Sequence, residues 1–360
     1  MNETPGQTEQ HQALKFEHTG RAREIAPIAV VVGLLNIVTL SIYRFWGKTR
    51  VRKYLWGHTS LLGDPLEYTG TGEELFKGFM IVLFAVFVPL GAVSSIVDVF
   101  WAEEGGVFYS LFQLAFVVLI LFLVGVAQYQ ARRYRLSRTL WRGIFGAQTG
   151  KPSEYGVRTL CFYILLPLTL GWTYPWQNMS LMSLMMNNTW FGDRRFSFEG
   201  GTGPLYKRFA LTWAMVIGLI ALPVLIGAVL STAHAAGDGS VEVSFVDFLP
   251  VFFLLLLPLL MAFYQAGEMR YMASCTRYEG LTFTFDATVG SLVLLVGGNM
   301  LIMILTLSFG LPFAQMRKFR YFCDRLIAAG AVDFDDIRRS AESRPTVGEG
   351  LADAFDIDAI

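Results

Sequence analysis

Three basic–tyrosine pairs stand at a fixed distance from a threonine and a glycine. Arg52-Lys53-Tyr54 precedes Thr59 and Gly63, Arg133-Tyr134 precedes Thr139 and Gly143, and Arg270-Tyr271 precedes Thr276 and Gly280. Tyr to Thr is five residues and Thr to Gly four, each time. A guanidinium beside a phenol and a hydroxyl is equipped to hold a phosphate or carboxylate, because Arg presents a planar fork of donors that matches such anions. Arg52, Tyr54, Thr59, Arg133, Tyr134, Thr139, Arg270, Tyr271 and Thr276 are therefore the candidate residues for a ligand or lipid headgroup. The alternative use of the same pattern is structural, with each pair stapling a helix end or a hairpin carbonyl.

Catalytic chemistry has no comparable pattern. The four histidines, His11, His18, His58 and His234, are scattered, and Cys161, Cys275 and Cys323 form no CxxC. Neither set has the spacing of a zinc site. No Ser-His-Asp grouping or HExxH occurs. Gly70-Thr71-Gly72-Glu73-Glu74 and Gly200-Gly201-Thr202-Gly203 resemble phosphate loops but lack the Gly-Lys-Ser/Thr ending. A turn with a helix cap fits better, with Glu73 and Glu74 at the positive end of a helix. The expectation is a protein that is not an enzyme, with no cofactor, no metal and no nucleic-acid partner.

The elements that carry these residues are membrane helices. Of 360 residues 54% are hydrophobic and 16% charged, against about 25% charged in soluble domains. Seven apolar segments run at about 26–45, 76–97, 108–128, 159–176, 209–232, 247–266 and 289–312. About 20 apolar residues cross a hydrocarbon core of about 30 Å. Residues 1–15 are polar and lack the pattern of a cleavable signal peptide. The connections 98–107 and 233–246 contain acidic residues and no Lys or Arg, whereas the other connections and the stretch after the last segment are basic. Lys and Arg mark the cytoplasmic side, so the acidic tips face outward and the C-terminus is cytoplasmic. Polar side chains deep in the segments are the amides Asn36, Gln113 and Asn299. Without an ionisable group there, ion-coupled transport is disfavoured.

A second pattern closes segments one, four and seven: Thr39-Leu40-Ser41, Thr169-Leu170-Gly171 and Thr306-Leu307-Ser308. After each Thr–Gly motif the sequence alternates around a turn, as in Leu62-Gly63-Asp64 and Phe191-Gly192-Asp193, which predicts β-hairpins. If all seven segments span, successive hairpins alternate sides against the positive-inside bias. If segments 26–45, 159–176 and 289–312 re-enter, all hairpins share the cytoplasmic face. Breakers at Gly33 and Asn36, Pro167, and Gly297-Gly298-Asn299 favour re-entry, which needs a protein or water-filled cover.

The Thr169-Leu170-Gly171-Trp172-Thr173-Tyr174-Pro175-Trp176 run, the basic–Tyr pairs, and the Thr with its following aromatic–Gly stretch together resemble the YjgN-like family of bacterial inner-membrane proteins, over about 14–325. One copy has Ser183-Leu184 in place of the pair, and the last keeps Arg320-Tyr321 without the Thr. The resemblance implies residence in the inner membrane and brings no activity with it.

The fold class expected is a mainly α membrane protein, a polytopic helical bundle built from internal repeats with short cytoplasmic β-hairpins between apolar segments. Its divisions are an N-terminal tail at 1–15, repeat units at 16–158 and 159–287, a partial repeat at 288–330, and an acidic, largely solvated tail at 331–360. Tyr43, Trp46, Tyr174 and Trp176 are expected as interfacial anchors. Two functions remain open. One is binding or transport of a lipid or small amphipathic molecule at a cytoplasm-facing site. The other is a structural or assembly role with the hairpins as a docking platform.

Overall fold

The computed structural model describes residues 14–103, 105–235, 244–334, 336–337 and 350–355. Strand β1 (Leu14–His18) is followed by helices α1 (Ala22–Val38) and α2 (Arg44–Gly57), then β2 (Thr59–Leu61), β3 (Asp64–Pro65) and β4 (Glu67–Tyr68). Helix α3 (Gly72–Val82), a π turn at Leu83–Phe87 and α4 (Val88–Trp101) form one long apolar rod; α5 (Val107–Arg138) returns to β5 (Thr139–Trp141) and β6 (Ile144–Gln148). Next come α6 (Pro152–Leu168), α7 (Tyr174–Met186), β7 (Thr189–Phe191) and β8 (Arg194–Phe198). Helices α8 (Gly203–Ala235) and α9 (Ser244–Ser274) lead to β9 (Thr276–Tyr278) and β10 (Leu281–Phe285). The chain closes with α10 (Val289–Leu305), α11 (Leu311–Arg325), β11 (Leu326–Ala329) and a short α12 (Gly350–Ala354).

An isolated two-stranded hairpin is marginal in water, but hairpins on a shared face can pair into a small sheet. The structure joins them into one antiparallel sheet of eleven strands, ordered β3-β2-β1-β11-β10-β9-β8-β7-β6-β5-β4. Its two terminal strands, β3 and β4, are separated along the chain by Leu66 alone. The stretch 64–68 therefore pairs with β2 through its first half and with β5 through its second, and the sheet curls into a ring. Closure removes the exposed edges that short hairpins otherwise leave. The termini seal it: Leu14 stands opposite Ala328 and Lys15 opposite Ile327.

The turns are built for this. Leu62 and Gly63, and Arg142 and Gly143, all have positive φ, as a two-residue type I′ hairpin turn requires, and glycine takes that conformation without steric cost. Inside the ring Leu14, Ile144, Tyr278, Leu281 and Ala328 pack together with Phe334 and Ile337 from the segment after β11. Trp141 lies edge-on to Phe334 with ring centroids 5.0 Å apart. The ring is a filled core.

All helix–strand junctions lie on one rim of the ring and the β-turns on the other, because each helical pair leaves the sheet and returns to it. The hairpins thus share one face of the molecule. Two helical pairs are long. Among the described residues, Gly72–Trp101, Val107–Arg138 and Gly203–Leu222 are long and apolar enough to cross a membrane. Three pairs are short: α1–α2, α6–α7 and α10–α11. Segments 26–45, 159–176 and 289–312 belong to these, and each turns back. Helix α1 has 17 residues, roughly 25 Å at about 1.5 Å per residue.

The three reversals share one geometry. Thr39, Thr169 and Thr306 donate their hydroxyls to the carbonyls of Leu35, Leu165 and Ile302 at 2.6, 2.9 and 2.6 Å. Each hydroxyl oxygen then accepts an N–H four residues on, from Tyr43, Thr173 and Gly310. Leu40, Leu170 and Leu307 between them have φ of 50°, 49° and 47°. These leucines are 88%, 68% and 82% exposed, an apolar tip suited to hydrocarbon rather than water.

Candidate functional site

Helices α2, α5 and α11 meet above the sheet ring around a chamber of about 260 Å³. Each helix contributes one stripe. Lys48, Arg52, Leu55 and Trp56 line it from α2, Arg132, Arg135 and Leu136 from α5 with Thr139 just beyond, and Gln315 and Phe319 from α11. Spacings of three and four residues put each set on one helix face. Four cations therefore face a single cavity.

Their settings differ. Arg52 is buried and donates to the Tyr68 hydroxyl at 3.1 Å. Lys48 pairs with Asp353 of α12 at 3.1 Å. Arg132 lies 3.7 Å from the Met186 sulfur, and Arg135 is buried. The aromatic wall is fixed by Trp56, whose ring N–H donates to Thr139 Oγ1 at 3.0 Å and whose ring lies 5.1 Å from that of Phe319. A cluster of cations in a confined, largely apolar space favours an anionic occupant, since charges there are poorly screened.

Of the residues singled out from the sequence, Arg52 and Thr139 line this chamber. Arg133 is one position off the lining face of α5, which is held by Arg132 and Arg135. Arg270 and Tyr271 lie instead beside Arg208 in a separate groove of about 270 Å³ between α8 and α9. The three pairs are thus not gathered around one cavity.

The tyrosines and threonines do one job repeatedly. Tyr54 accepts the Arg21 N–H at 2.8 Å and donates to Glu24 at 2.9 Å, at the start of α1. Tyr134 donates to Glu74 in the first turn of α3 at 2.7 Å, and Arg138 donates twice to the same carboxylate. Tyr271 accepts the Gly201 N–H at 3.1 Å, and Tyr321 meets Ser291 at 2.9 Å in the first turn of α10. Each phenol pins the base of a helical pair. In the α6–α7 pair, where Leu184 replaces the tyrosine, an apolar cluster with Tyr155 and Leu181 stands there. Thr59, Thr139, Thr189 and Thr276 each donate to the carbonyl four residues back, at 2.8 to 2.9 Å. That bond satisfies a helix-end acceptor just where the strand begins.

Thr59 also meets His18 Nδ1 at 2.8 Å. Burial, then the nearby charges of Arg320 and His58, lower the His18 pKa from 6.5 to about 4. Of the proposed anchors, Trp46 and Trp176 are exposed. Tyr43 stacks on Trp46, while Tyr174 packs inward on Phe209 and Tyr264.

Sequence reasoning missed Lys48, Arg132, Arg135, Trp56, Gln315 and Phe319. Reading Lys48–Arg52 and Arg132–Arg135 by helical period would have found the cations. It also missed the carboxylate of Glu268, buried between α7 and α9, which accepts from Asn178 and Tyr264 at 2.8 Å each.

Residues 13–354 match the model of a family described as a bacterial protein of unknown function, DUF898. The chain belongs to this family. It is also 30% identical over 115 residues to the inner membrane protein YjgN of Salmonella typhimurium, covering 31% of this chain and 27% of that one. It is 31% identical over 80 residues to the inner membrane protein YjgN of Escherichia coli O157:H7, covering 22% of this chain and 20% of that one. These matches span about a quarter or less of each relative's length. No solved structure matches.

Proposed function

We propose that this DUF898 protein is a multi-pass protein of the bacterial inner membrane that binds the anionic headgroup of a lipid or similar amphiphile in the α2–α5–α11 chamber. The observation that carries the reading is the convergence of Lys48, Arg52, Arg132 and Arg135 on one cavity walled by Trp56 and Phe319. Basic pockets between membrane helices on the cytoplasmic side hold anionic headgroups, and arginine pairs with phosphate through parallel hydrogen bonds. The positive-inside tendency supports a cytoplasmic sheet ring and C-terminus, since the Lys- and Arg-rich connections are those that enter the ring. The four hairpins, each fed and drained by helices, support an internal repeat as the origin of the architecture. The reading includes no catalytic step and no cofactor.

The test is binding of phosphatidylglycerol and of phosphatidylcholine to the purified protein in neutral detergent, by native mass spectrometry. The expected result is preference for phosphatidylglycerol, lost at least tenfold in Arg132→Gln/Arg135→Gln while the melting temperature holds. Equal retention of both lipids by both proteins overturns the proposal.

One observation favours a second reading. The sheet ring is packed solid, with Trp141, Tyr278 and Phe334 in its interior, as expected of a rigid platform for assembly. A role confined to assembly would leave the arginine variant fully functional in cells.

A further inference from the structure

Helix α12 lies between α5 and α3, the first part of the Gly72–Trp101 rod; α5 and that rod are each long and apolar enough to cross a membrane. Helix α12 is seated without slack. A Cβ at Gly350 would run into the Gly78 backbone carbonyl, so glycine alone fits against α3 there. Ala352 is buried against Ala127 and Ala131 of α5. Phe355 meets Phe87 edge-on at 5.2 Å. Phe87 is the last residue of the π turn that interrupts the α3–α4 rod ahead of Pro89. Such turns widen a helix locally and recur at functional sites.

The charge placement is the more telling feature. Asp353 is 1% exposed and its carboxylate sits 3.1 Å from Lys48 Nζ. Arg44 donates to the Asp353 carbonyl at 3.2 Å. Lys48 is also part of the chamber lining. The C-terminal turn thus brings an anion through a cleft between two apolar helices to the edge of a cationic cavity, with an apolar ring, Phe355, on its other side.

We infer that the cleft between α3 and α5 is the lateral mouth of the chamber, that it takes the phosphate headgroup of a membrane lipid where Asp353 now sits, and that the C-terminal turn is a built-in competitor for that place. This rests on the proposed headgroup binding in the chamber. The amphipathic match is specific: a lipid offers a phosphate for Lys48 and an acyl chain for the surface beside Phe87, as Asp353 and Phe355 do within one turn. Because the competitor belongs to the same chain, its effective concentration at the site is fixed and dilution does not lower it. Lipid binding is then weaker than the site alone would give, and release of the turn raises it.

The experiment uses the full chain in neutral detergent and a short-chain phosphatidylglycerol below its micelle concentration, with glycerol phosphate as the soluble comparison. Asp353→Asn is expected to bind the lipid about tenfold more tightly than the parent. Ala352→Trp, which cannot fit against Ala127 and Ala131, is expected to do the same by expelling the turn, and it serves if Asp353→Asn fails to fold. Adding Lys48→Gln is expected to erase the gain. Glycerol phosphate, lacking the chain, should bind at least tenfold more weakly than the lipid; equal affinity would overturn the lipid assignment and leave a soluble phosphate site. Lipid binding by the parent that neither variant improves overturns the competitor alone. No binding by any form overturns the headgroup reading and this inference together.

Discussion

The sheet ring and the chamber above it are built on opposite principles. The ring is assembled from similar parts. Thr59, Thr139, Thr189 and Thr276 make the same helix-end bond, and Tyr54, Tyr134, Tyr271 and Tyr321 close the bases of four helical pairs. Its interior is full. The chamber draws on the recurring motif only for Arg52 and Thr139. Of the helices that descend to the ring, α2 and α5 bring its four cations, while α11 brings Gln315 and Phe319. The recurring tyrosines and threonines hold the architecture together. Lys48, Arg132 and Arg135, outside the motif, supply most of the charge. Substitutions in the two regions should therefore separate stability from binding.

The largest effect is expected in the ring. Trp141 is buried at 3% exposure and donates from its ring nitrogen toward the carbonyls of Leu61 and Asp64. Trp141→Ala opens a cavity in a packed core, at a cost of about 3–5 kcal/mol. Thermal unfolding followed by tryptophan fluorescence or calorimetry should show a steep fall in melting temperature. A melting temperature within a degree or two of the parent would mean that the ring is not a core on which the helices depend.

Next comes the helix-end bond. Thr276 is buried and its hydroxyl reaches the Met272 carbonyl at 2.9 Å. Thr276→Val keeps the shape and leaves that acceptor without its donor, for a loss of about 1–3 kcal/mol. The same change at Thr59 should cost more, because the Thr59 hydroxyl also meets His18 Nδ1 at 2.8 Å. If either substitution changed lipid affinity while leaving stability intact, the division between building and binding residues would fail.

The chamber should respond in the opposite sense. Arg132→Gln/Arg135→Gln removes two charges while keeping polar side chains there, so phosphatidylglycerol binding is expected to fall while the melting temperature stays close to the parent's. A marked loss of stability would make these arginines part of the framework and return them to the class of Tyr134 and Thr139.

These contrasts explain what could be read from the sequence. The hairpins were legible, because local turn chemistry and period-two alternation specify them; whether segments 26–45, 159–176 and 289–312 span or turn back, and so whether the motif loops share a face, was open between two readings, because breakers inside an apolar run are compatible with both. Closure of the sheet was not legible. It depends on β1 meeting β11 across nearly the whole chain, and on the five residues 64–68 serving two neighbours. The site was half legible. Spacing led to the Arg–Tyr pairs, but adjacent residues on a helix point about 100° apart, so Arg133 beside Tyr134 could not identify the lining face that Arg132 and Arg135 occupy. The C-terminal turn was read with a solvated acidic tail at 331–360; within it Gly350–Ala354 is packed between α3 and α5, because Gly350 and Ala352 are small enough to fit and Asp353 has Lys48 to meet. An acidic composition alone does not reveal a partner so far away in sequence.

The smallest expected effect is a pH dependence at the seam of the ring. His18 ends β1 and donates from Nδ1 to Thr59 Oγ1, whose own proton goes to the Leu55 carbonyl, and its pKa is lowered from 6.5 to about 4, by burial first and then by Arg320 and His58. A base with a depressed folded pKa is kept neutral by folding, so as pH falls from 6.5 the unfolded chain takes up the proton before the folded one. Stability contributed by neutral His18 is complete above 6.5 and is lost as pH drops toward about 4. Because the side chain is only partly shielded, the shift in melting temperature should be a few degrees at most. Carboxylates titrate in the lower part of the same window, so the informative quantity is the difference between the parent and His18→Gln. The parent should lose more stability than the variant between pH 6.5 and 4. Parallel pH profiles would show that the seam between β1 and β2 does not depend on a neutral imidazole, and would leave the ring's closure to its apolar filling and backbone pairing.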